Sequence, residues 1–200
     1  MEYLELSLEN VKEITNKLYK VIMNDKYNYD LVIFIAKGSY PIGIELSKLA
    51  NVPLLEIEAT RKGGKLKKII KPLFRFIPKN ILIKLRKKEM NSDYHEKNQD
   101  RNINFNHKIY ENYLDCKRIL LVDDSIDSGY SIIEAKKEIE KFFKNSKVKI
   151  AVFNCMNKSI VKPDYMIYEN KMICGPWSND SKFYSNFISD YKEWKKGYEK

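Results

Sequence analysis

The apolar residues of this chain follow two patterns that alternate along the sequence. One pattern is a short apolar run, which is typical of a buried strand, and the other is a repeat at helical spacing. Apolar runs at residues 31–36, 53–57, 119–122 and 148–153 predict strands. Helices are predicted at residues 6–22, 42–50, 132–143 and 183–194. The alternation predicts a single α/β domain over residues 1–200, with a mostly parallel central sheet flanked by helices.

Three segments depart from this alternation. Residues 61–90 are basic and predict a helical insertion of two short helices, broken at Pro72 and Pro78. Residues 90–107 are polar and predict a long mobile loop. Residues 165–168 and 171–174 predict a small hairpin around Glu169 and Asn170, within a small C-terminal hood.

The formal net charge of +10 is concentrated in one segment of the chain. Residues 61–88 contain twelve basic and no acidic residues, which leaves 25 basic and 27 acidic residues elsewhere. Because the rest is nearly neutral, no nucleic-acid partner is indicated. The three widely spaced cysteines, with no secretory signal or membrane-spanning apolar stretch, predict a cytoplasmic protein with free thiols.

The stretch at residues 119–131, ILLVDDSIDSGYS, carries the strongest functional signal. A buried strand leads to Asp123 and Asp124, and a loop of small and hydroxylated residues then leads into a helix. Such a loop offers an anion free backbone N–H groups, the positive end of the helix dipole and the hydroxyls of Ser128 and Ser131. The paired carboxylates suit sugar hydroxyls or a divalent metal, so the pattern predicts a site for a phosphorylated sugar.

A hydrophobic run that ends in two aspartates also opens bacterial receiver domains, which use the acids to bind magnesium. Such a domain needs roughly a hundred residues after the pair. Only 76 residues follow Asp124 here, and the first 115 would have no explanation. A purely structural strand end is the other alternative, although two adjacent acids repel each other.

The motif resembles the ribose-phosphate-binding motif of the type I phosphoribosyltransferases, closest to the xanthine-guanine and hypoxanthine-guanine enzymes. The resemblance implies that Asp123 and Asp124 hold the ribose hydroxyls of phosphoribosyl diphosphate and a Mg²⁺ ion. It implies that Asp127 is the general base near the acceptor. The 5-phosphate would be bound by the rest of the loop, which consists of Ser125, Ile126, Ser128, Gly129, Tyr130 and Ser131.

A second loop, at Lys37, Gly38 and Ser39, directly follows the first predicted buried strand. Glycine lets the backbone approach an anion closely, and Lys37 supplies positive charge. The loop resembles the diphosphate loop of the same family, which often carries a non-proline cis peptide. The resemblance places that bond before Lys37 or Gly38 and gives Lys37 a catalytic role in neutralising the leaving diphosphate.

Two further features extend the resemblance. Lys158 and Trp177, with Lys162 and Pro176, stand where the xanthine-guanine enzymes contact and stack the purine, although Trp177 packed against the C-terminal helix is the structural alternative. Ser92 and Tyr94 resemble the Ser-Tyr pair of the family's catalytic hood loop, interrupted here by Asp93; a solvated loop is the alternative.

The expected function is magnesium-dependent transfer of 5-phosphoribosyl to a 6-oxopurine base. The amphipathic, basic residues 61–90 keep two other interpretations open for that segment, namely contact with the inner face of a membrane or a homo-oligomer contact. Membrane contact would favour transfer to a glycan hydroxyl in polysaccharide synthesis. A non-catalytic regulator that senses phosphoribosyl diphosphate is the third functional alternative.

Overall fold

The computed structural model describes residues 2–61, 81 and 101–199. The predicted helices around Pro72 and Pro78 and the predicted hood residues Ser92 and Tyr94 lie outside these residues. Within them, no helix is both long enough and apolar enough to cross a bilayer.

Eight strands and five helices make up the described part of the chain. The strands are β1 (Tyr3–Glu5), β2 (Leu31–Ile35), β3 (Leu54–Arg61), β4 (Arg101–Asn104), β5 (Arg118–Ile126), β6 (Lys147–Cys155), β7 (Tyr165–Glu169) and β8 (Met172–Cys174). The helices are α1 (Leu8–Asn24), α2 (Tyr40–Ala50), α3 (His107–Glu111), α4 (Tyr130–Phe142) and α5 (Tyr184–Tyr198).

Six strands form the central sheet in the order β4-β3-β2-β5-β6-β7, and only β4 runs antiparallel to its neighbour. From β2 the chain moves to β3 on one side, whereas β5 continues to β6 and β7 on the other side. The order therefore reverses between β2 and β5, and the carboxyl ends of these strands flank the crevice where ligands bind in open α/β sheets. The predicted fold class is confirmed.

Helices cover both faces of the sheet, and the strand residues alternate between two cores. Val32 and Phe34 of β2 and Leu120 and Val122 of β5 pack on the side of α1, α2 and α5. Their odd-numbered neighbours pack on the side of α3 and α4; they are Leu31, Ile33, Ile35, Ile119 and Leu121. This alternation decides which way the side chains at the end of β5 point.

One local prediction is wrong, and a second is wrong in the part that the structure describes. The predicted hairpin does not form, because β7 pairs with β6 and β8 pairs with β1 in a separate two-stranded parallel sheet. Asn170 takes a left-handed conformation with φ 56° and redirects the chain between β7 and β8. The predicted mobile loop contains β4 within residues 90–107, where Arg101–Asn104 pair with the extended end of β3.

Candidate phosphoribosyl site

Three loops that follow parallel strands meet at one edge of the sheet, as the sequence predicts. A Cβ atom added to Gly38, after β2, would lie 3.1 Å from Oδ1 of Asp124 at the end of β5. The backbone N–H of Ile160, after β6, donates to the Ser128 carbonyl at 3.1 Å. The close approach at Gly38 favours a residue without a side chain.

The loop after β5 forms a polar cleft against the start of α4. Gly129 is the N-cap of α4 and has φ 95°, a conformation that favours glycine. A Cβ atom at Gly129 would also clash with Cγ1 of Val161 at 2.7 Å. Residues of the predicted motif line the cleft together with Arg101 and Ile132, which lie outside the motif. The lining residues are Arg101, Asp123, Ser125, Ile126, Asp127, Ser128, Gly129, Ser131 and Ile132. Tyr130 begins α4.

The two aspartates of the motif form a hydrogen-bonded pair at the end of β5. Asp123 lines the cleft beside the loop, and its Oδ1 accepts the backbone N–H of Asp124 at 2.9 Å. Asp124 lies close to Gly38 and forms side-chain hydrogen bonds with Asp123 and Trp177. The paired carboxylates therefore connect the cleft after β5 to the Lys37 loop.

Both aspartates have a pKa above that of an ordinary carboxyl group, so each keeps its proton to a higher pH. Burial, with the nearby charge of Asp124, raises the pKa of Asp123 well above its usual range. Burial also raises the pKa of Asp124 to about 6, although its hydrogen bonds to Asp123 and Trp177 act in the opposite direction. Perturbed carboxyls at the edge of a cleft are typical of ligand sites.

The loop at Lys37 contains the cis peptide that the resemblance implies, between Ala36 and Lys37. Lys37 is exposed, and its Nζ donates to the Tyr184 hydroxyl at 3.3 Å. Ser39 is buried, and its hydroxyl donates to the Ile35 carbonyl. Its side chain therefore fixes the loop to the end of β2, and the loop presents its cation and backbone to the Asp124 side.

Trp177 is part of the fold as well as of the site. Its indole covers Gly175 so closely that a Cβ atom there would lie 2.3 Å from the ring, and it packs against the core on the side of α1, α2 and α5. Its side-chain hydrogen bond to Asp124 joins the C-terminal segment to the motif. This arrangement combines the predicted position at the site with the structural alternative of a packed tryptophan.

Neither of the two lysines that were predicted to contact the acceptor is among the described residues that line the cleft. Lys158 is exposed in the turn after β6. Lys162 forms an ion pair with Glu169 at 3.6 Å. Both lie on the chain after β6, next to the turn that contacts Ser128.

Sequence reasoning missed two residues of the site. Arg101 enters from β4, and its Nε donates to the Ser131 Oγ at 3.2 Å. Asn154, fully buried on β6, donates to the Ser125 Oγ at 3.0 Å and accepts the Lys171 N–H at 2.9 Å. An asparagine inside an apolar strand is the one local signal that was available. Arg101 gave none, since it stands in a polar stretch.

The residues fit a magnesium ion that is shared with substrate. No group of three histidine, cysteine or acidic side chains suited to a metal occurs in residues 2–61 and 101–199. Magnesium usually keeps several waters and binds through one or two carboxylates plus substrate phosphates. Asp123 and Asp124 supply that number of carboxylates, so the donor set matches such an ion.

The chain belongs to the family of phosphoribosyl transferase domains, whose model matches residues 4–182. A purine phosphoribosyltransferase from Pyrococcus horikoshii is similar to it in fold, with a TM-score of 0.61, 19% identity and coverage of 89% of this chain and 95% of that one. No curated protein matches the chain significantly in sequence.

Two further solved structures are similar over nearly their whole length. The xanthine-guanine-hypoxanthine phosphoribosyltransferase of Helicobacter pylori has a TM-score of 0.58 and 14% identity, covering 94% of this chain and 99% of that one. A hypothetical protein from Neisseria gonorrhoeae with bound ppGpp has a TM-score of 0.61 and 16% identity, covering 96% and 97%. At these identities the likeness defines the fold.

Proposed function

We propose that the protein transfers 5-phosphoribosyl from phosphoribosyl diphosphate to a 6-oxopurine base and releases diphosphate. One observation carries this proposal: the cleft joins an amide-lined helix start at Gly129 to the carboxylate of Asp123. An anion cradle beside a carboxylate suits a ligand that has both a phosphoryl group and ribose hydroxyls. The family supports phosphoribosyl transfer in general.

Each residue has a role that follows from its position. Asp123 and Asp124 would accept hydrogen bonds from the ribose hydroxyls, and the loop from Ser125 to Ser131 would bind the 5-phosphate. This remote binding energy positions the anomeric carbon for attack. Lys37 and the amides beside Gly38 would stabilise the leaving diphosphate.

The reaction forms a bond between a base nitrogen and the anomeric carbon and breaks the bond from that carbon to diphosphate. The electron pair leaves with diphosphate, and Asp127 would take the proton that the base loses. Asp123 and Asp124 would help to hold a bound magnesium ion, which supplies charge neutralisation on the diphosphate.

The choice of a purine acceptor rests on observations separate from those that support the donor. Purine enzymes are among the similar folds, and Lys158 and Trp177 stand at the carboxyl edge of the sheet. The glycan alternative and the membrane contact rest on residues 61–90, which lie outside the described residues apart from Arg61 and Ile81. A cytoplasmic location and a homo-oligomer likewise stay predictions.

Diphosphate release is the direct assay for the proposal. Wild-type protein with donor and magnesium should release diphosphate when guanine, hypoxanthine or xanthine is added. Release only with a glycan acceptor would replace the purine by the glycan. Donor binding without turnover on any acceptor would favour the regulator.

Asp127→Asn tests the role of the general base. Turnover should fall by about 10²–10⁴-fold, while the affinity for donor changes far less, because the amide keeps its shape in the cleft. Asp115→Asn, which removes one carboxylate from an exposed position, is the matched control. An unchanged rate in Asp127→Asn would remove Asp127 from this role.

A further inference from the structure

The guanidinium of Arg101 adds a positive charge to the cleft from outside the motif. Arg101 begins β4, the strand at one edge of the sheet, and reaches the loop after β5. Its Nε donates to the Oγ of Ser131 at 3.2 Å. Among the described residues that line the cleft, Arg101 alone has a positive charge, whereas Asp123 and Asp127 have carboxylates.

The charges in the cleft make such a cation important for a phosphoryl ligand. A phosphomonoester carries a charge of about −1.5 to −2 at pH 7. Backbone amides and hydroxyls provide only partial positive charges, and the ionised forms of Asp123 and Asp127 repel an incoming anion. A guanidinium at this position offsets that repulsion and matches the geometry of phosphate oxygens.

The hydrogen bond between Arg101 and Ser131 also orients the loop. A serine hydroxyl has one donor and two acceptor positions, and a guanidinium has five donors in a planar fork. Because Ser131 Oγ accepts from Arg101, the serine proton is directed to a different acceptor. A phosphoryl group bound in the cleft would offer an oxygen as that acceptor.

We propose that Arg101 is a phosphoryl-binding residue of this site. Its guanidinium binds the 5-phosphate of the sugar and holds Ser131 with its hydroxyl donating to the same group. The inference rests on the proposed function for the identity of the sugar. It assigns the recognition of the phosphate to a residue on β4 as well as to the loop after β5.

The test compares two probes, ribose 5-phosphate and inorganic diphosphate with magnesium, by calorimetry on the full chain. Arg101→Met should bind ribose 5-phosphate about 10- to 100-fold more weakly, as expected for loss of charged hydrogen bonds. Its affinity for diphosphate should not change, because that probe binds at the Lys37 loop. Arg101→Lys keeps the charge without the fork and should recover part of the affinity.

Arg118→Met is the matched control, since it removes one arginine from an exposed position at the opposite end of β5. It should bind both probes as the wild type does. Thermal unfolding checks that each variant folds. If Arg101→Met does not fold, Arg101→Lys and Ser131→Ala replace it, and both should weaken ribose 5-phosphate alone.

The outcomes separate this inference from the proposed function. Equal affinity of Arg101→Met and wild type for ribose 5-phosphate would overturn the role of Arg101, as would equal weakening of both probes. If the wild type binds neither ribose 5-phosphate nor phosphoribosyl diphosphate, the proposed function fails together with the inference.

Discussion

Asp124 shows how a buried acidic side chain costs stability in the folded protein. Burial raises its pKa to about 6 from the ordinary value of 3.8, so the fold favours the protonated carboxyl. The folded state therefore binds the proton more tightly than the unfolded state, and the free energy of unfolding falls as the pH rises through this range. The loss is complete above about pH 6 and absent below the ordinary pKa.

Asp124→Asn should therefore stabilise the protein at pH 7–8 by about 1–3 kcal/mol. The amide keeps an oxygen that accepts from Trp177, while the cost of a buried charge disappears. The gain should vanish below about pH 3, under the ordinary pKa of 3.8, where both the folded and the unfolded state bind the proton. Denaturant unfolding across this pH range measures it.

Asp115→Asn is the control for net charge, because Asp115 is exposed. It should show no comparable gain at neutral pH. A destabilised Asp124→Asn at pH 8 would mean that the carboxylate is favourably paired in the fold.

Trp177 offers a second test at the residue scale. Its hydrogen bond to Asp124 links it to the part of the site that is proposed to bind phosphoribosyl diphosphate. Trp177→Phe keeps an aromatic ring over Gly175 but removes the indole donor. The affinity of the protein for phosphoribosyl diphosphate should fall about 3- to 10-fold, in line with the loss of one hydrogen bond to a charged group. The hydrogen bond from Trp177 lowers the pKa of Asp124, so its loss should raise that pKa. Binding of phosphoribosyl diphosphate should then begin to weaken at a higher pH than in the wild type.

Calorimetry with phosphoribosyl diphosphate at several pH values measures both effects. Trp194→Phe, in α5, controls for the loss of a tryptophan elsewhere in the core. If Trp177→Phe weakens only the binding of the purine, the indole stacks on the acceptor and does not support Asp124.

At the scale of elements, α5 is fastened to the sheet through Glu56. This buried carboxylate on β3 accepts a hydrogen bond from the Tyr191 hydroxyl and pairs with Lys195 at 2.9 Å. The backbone N–H of Glu56 donates to the Tyr198 hydroxyl at 3.3 Å. Because α5 also carries Tyr184 beside Lys37, this anchor bears on the position of the Lys37 loop.

Glu56→Ala should destabilise the protein by about 2–4 kcal/mol, since it leaves buried partners without their acceptor. Urea unfolding measures the change. Glu58→Ala is the matched control: Glu58 also pairs with Lys195 but is more exposed, and its loss should cost about 0–1 kcal/mol. Equal effects would show that the burial of Glu56 adds nothing to the anchor.

Elements with a strong local signal were predictable, and those that depend on distant partners were not. The run at residues 31–36 predicts β2, because a strand buried on both faces needs no polar position. The hairpin prediction failed because β8 pairs with β1, which lies at the other end of the sequence. Strand β4 was missed because the end of β3 supplies its partner.

The same distinction applies to the site of the whole molecule. The motif from Asp123 to Ser131 is contiguous, so its residue types and spacing show the chemistry directly. Arg101 and Asn154 reach the loop from β4 and β6, and only the order of the strands brings them there. Gly38 and Trp177, the neighbours of Asp124, likewise come from distant parts of the chain, and the motif's own sequence does not show them.

Across the whole molecule, the loops after β2, β5 and β6 meet where the strand order reverses, and this places a cation, two carboxylates and an amide-lined turn together. The proposed function requires one ligand that contacts all three groups. Calorimetric titration of the full chain with phosphoribosyl diphosphate and magnesium tests this claim most directly. The account predicts saturable binding that Ser128→Ala and Asp123→Asn both weaken; absence of any heat from well-folded protein would contradict it.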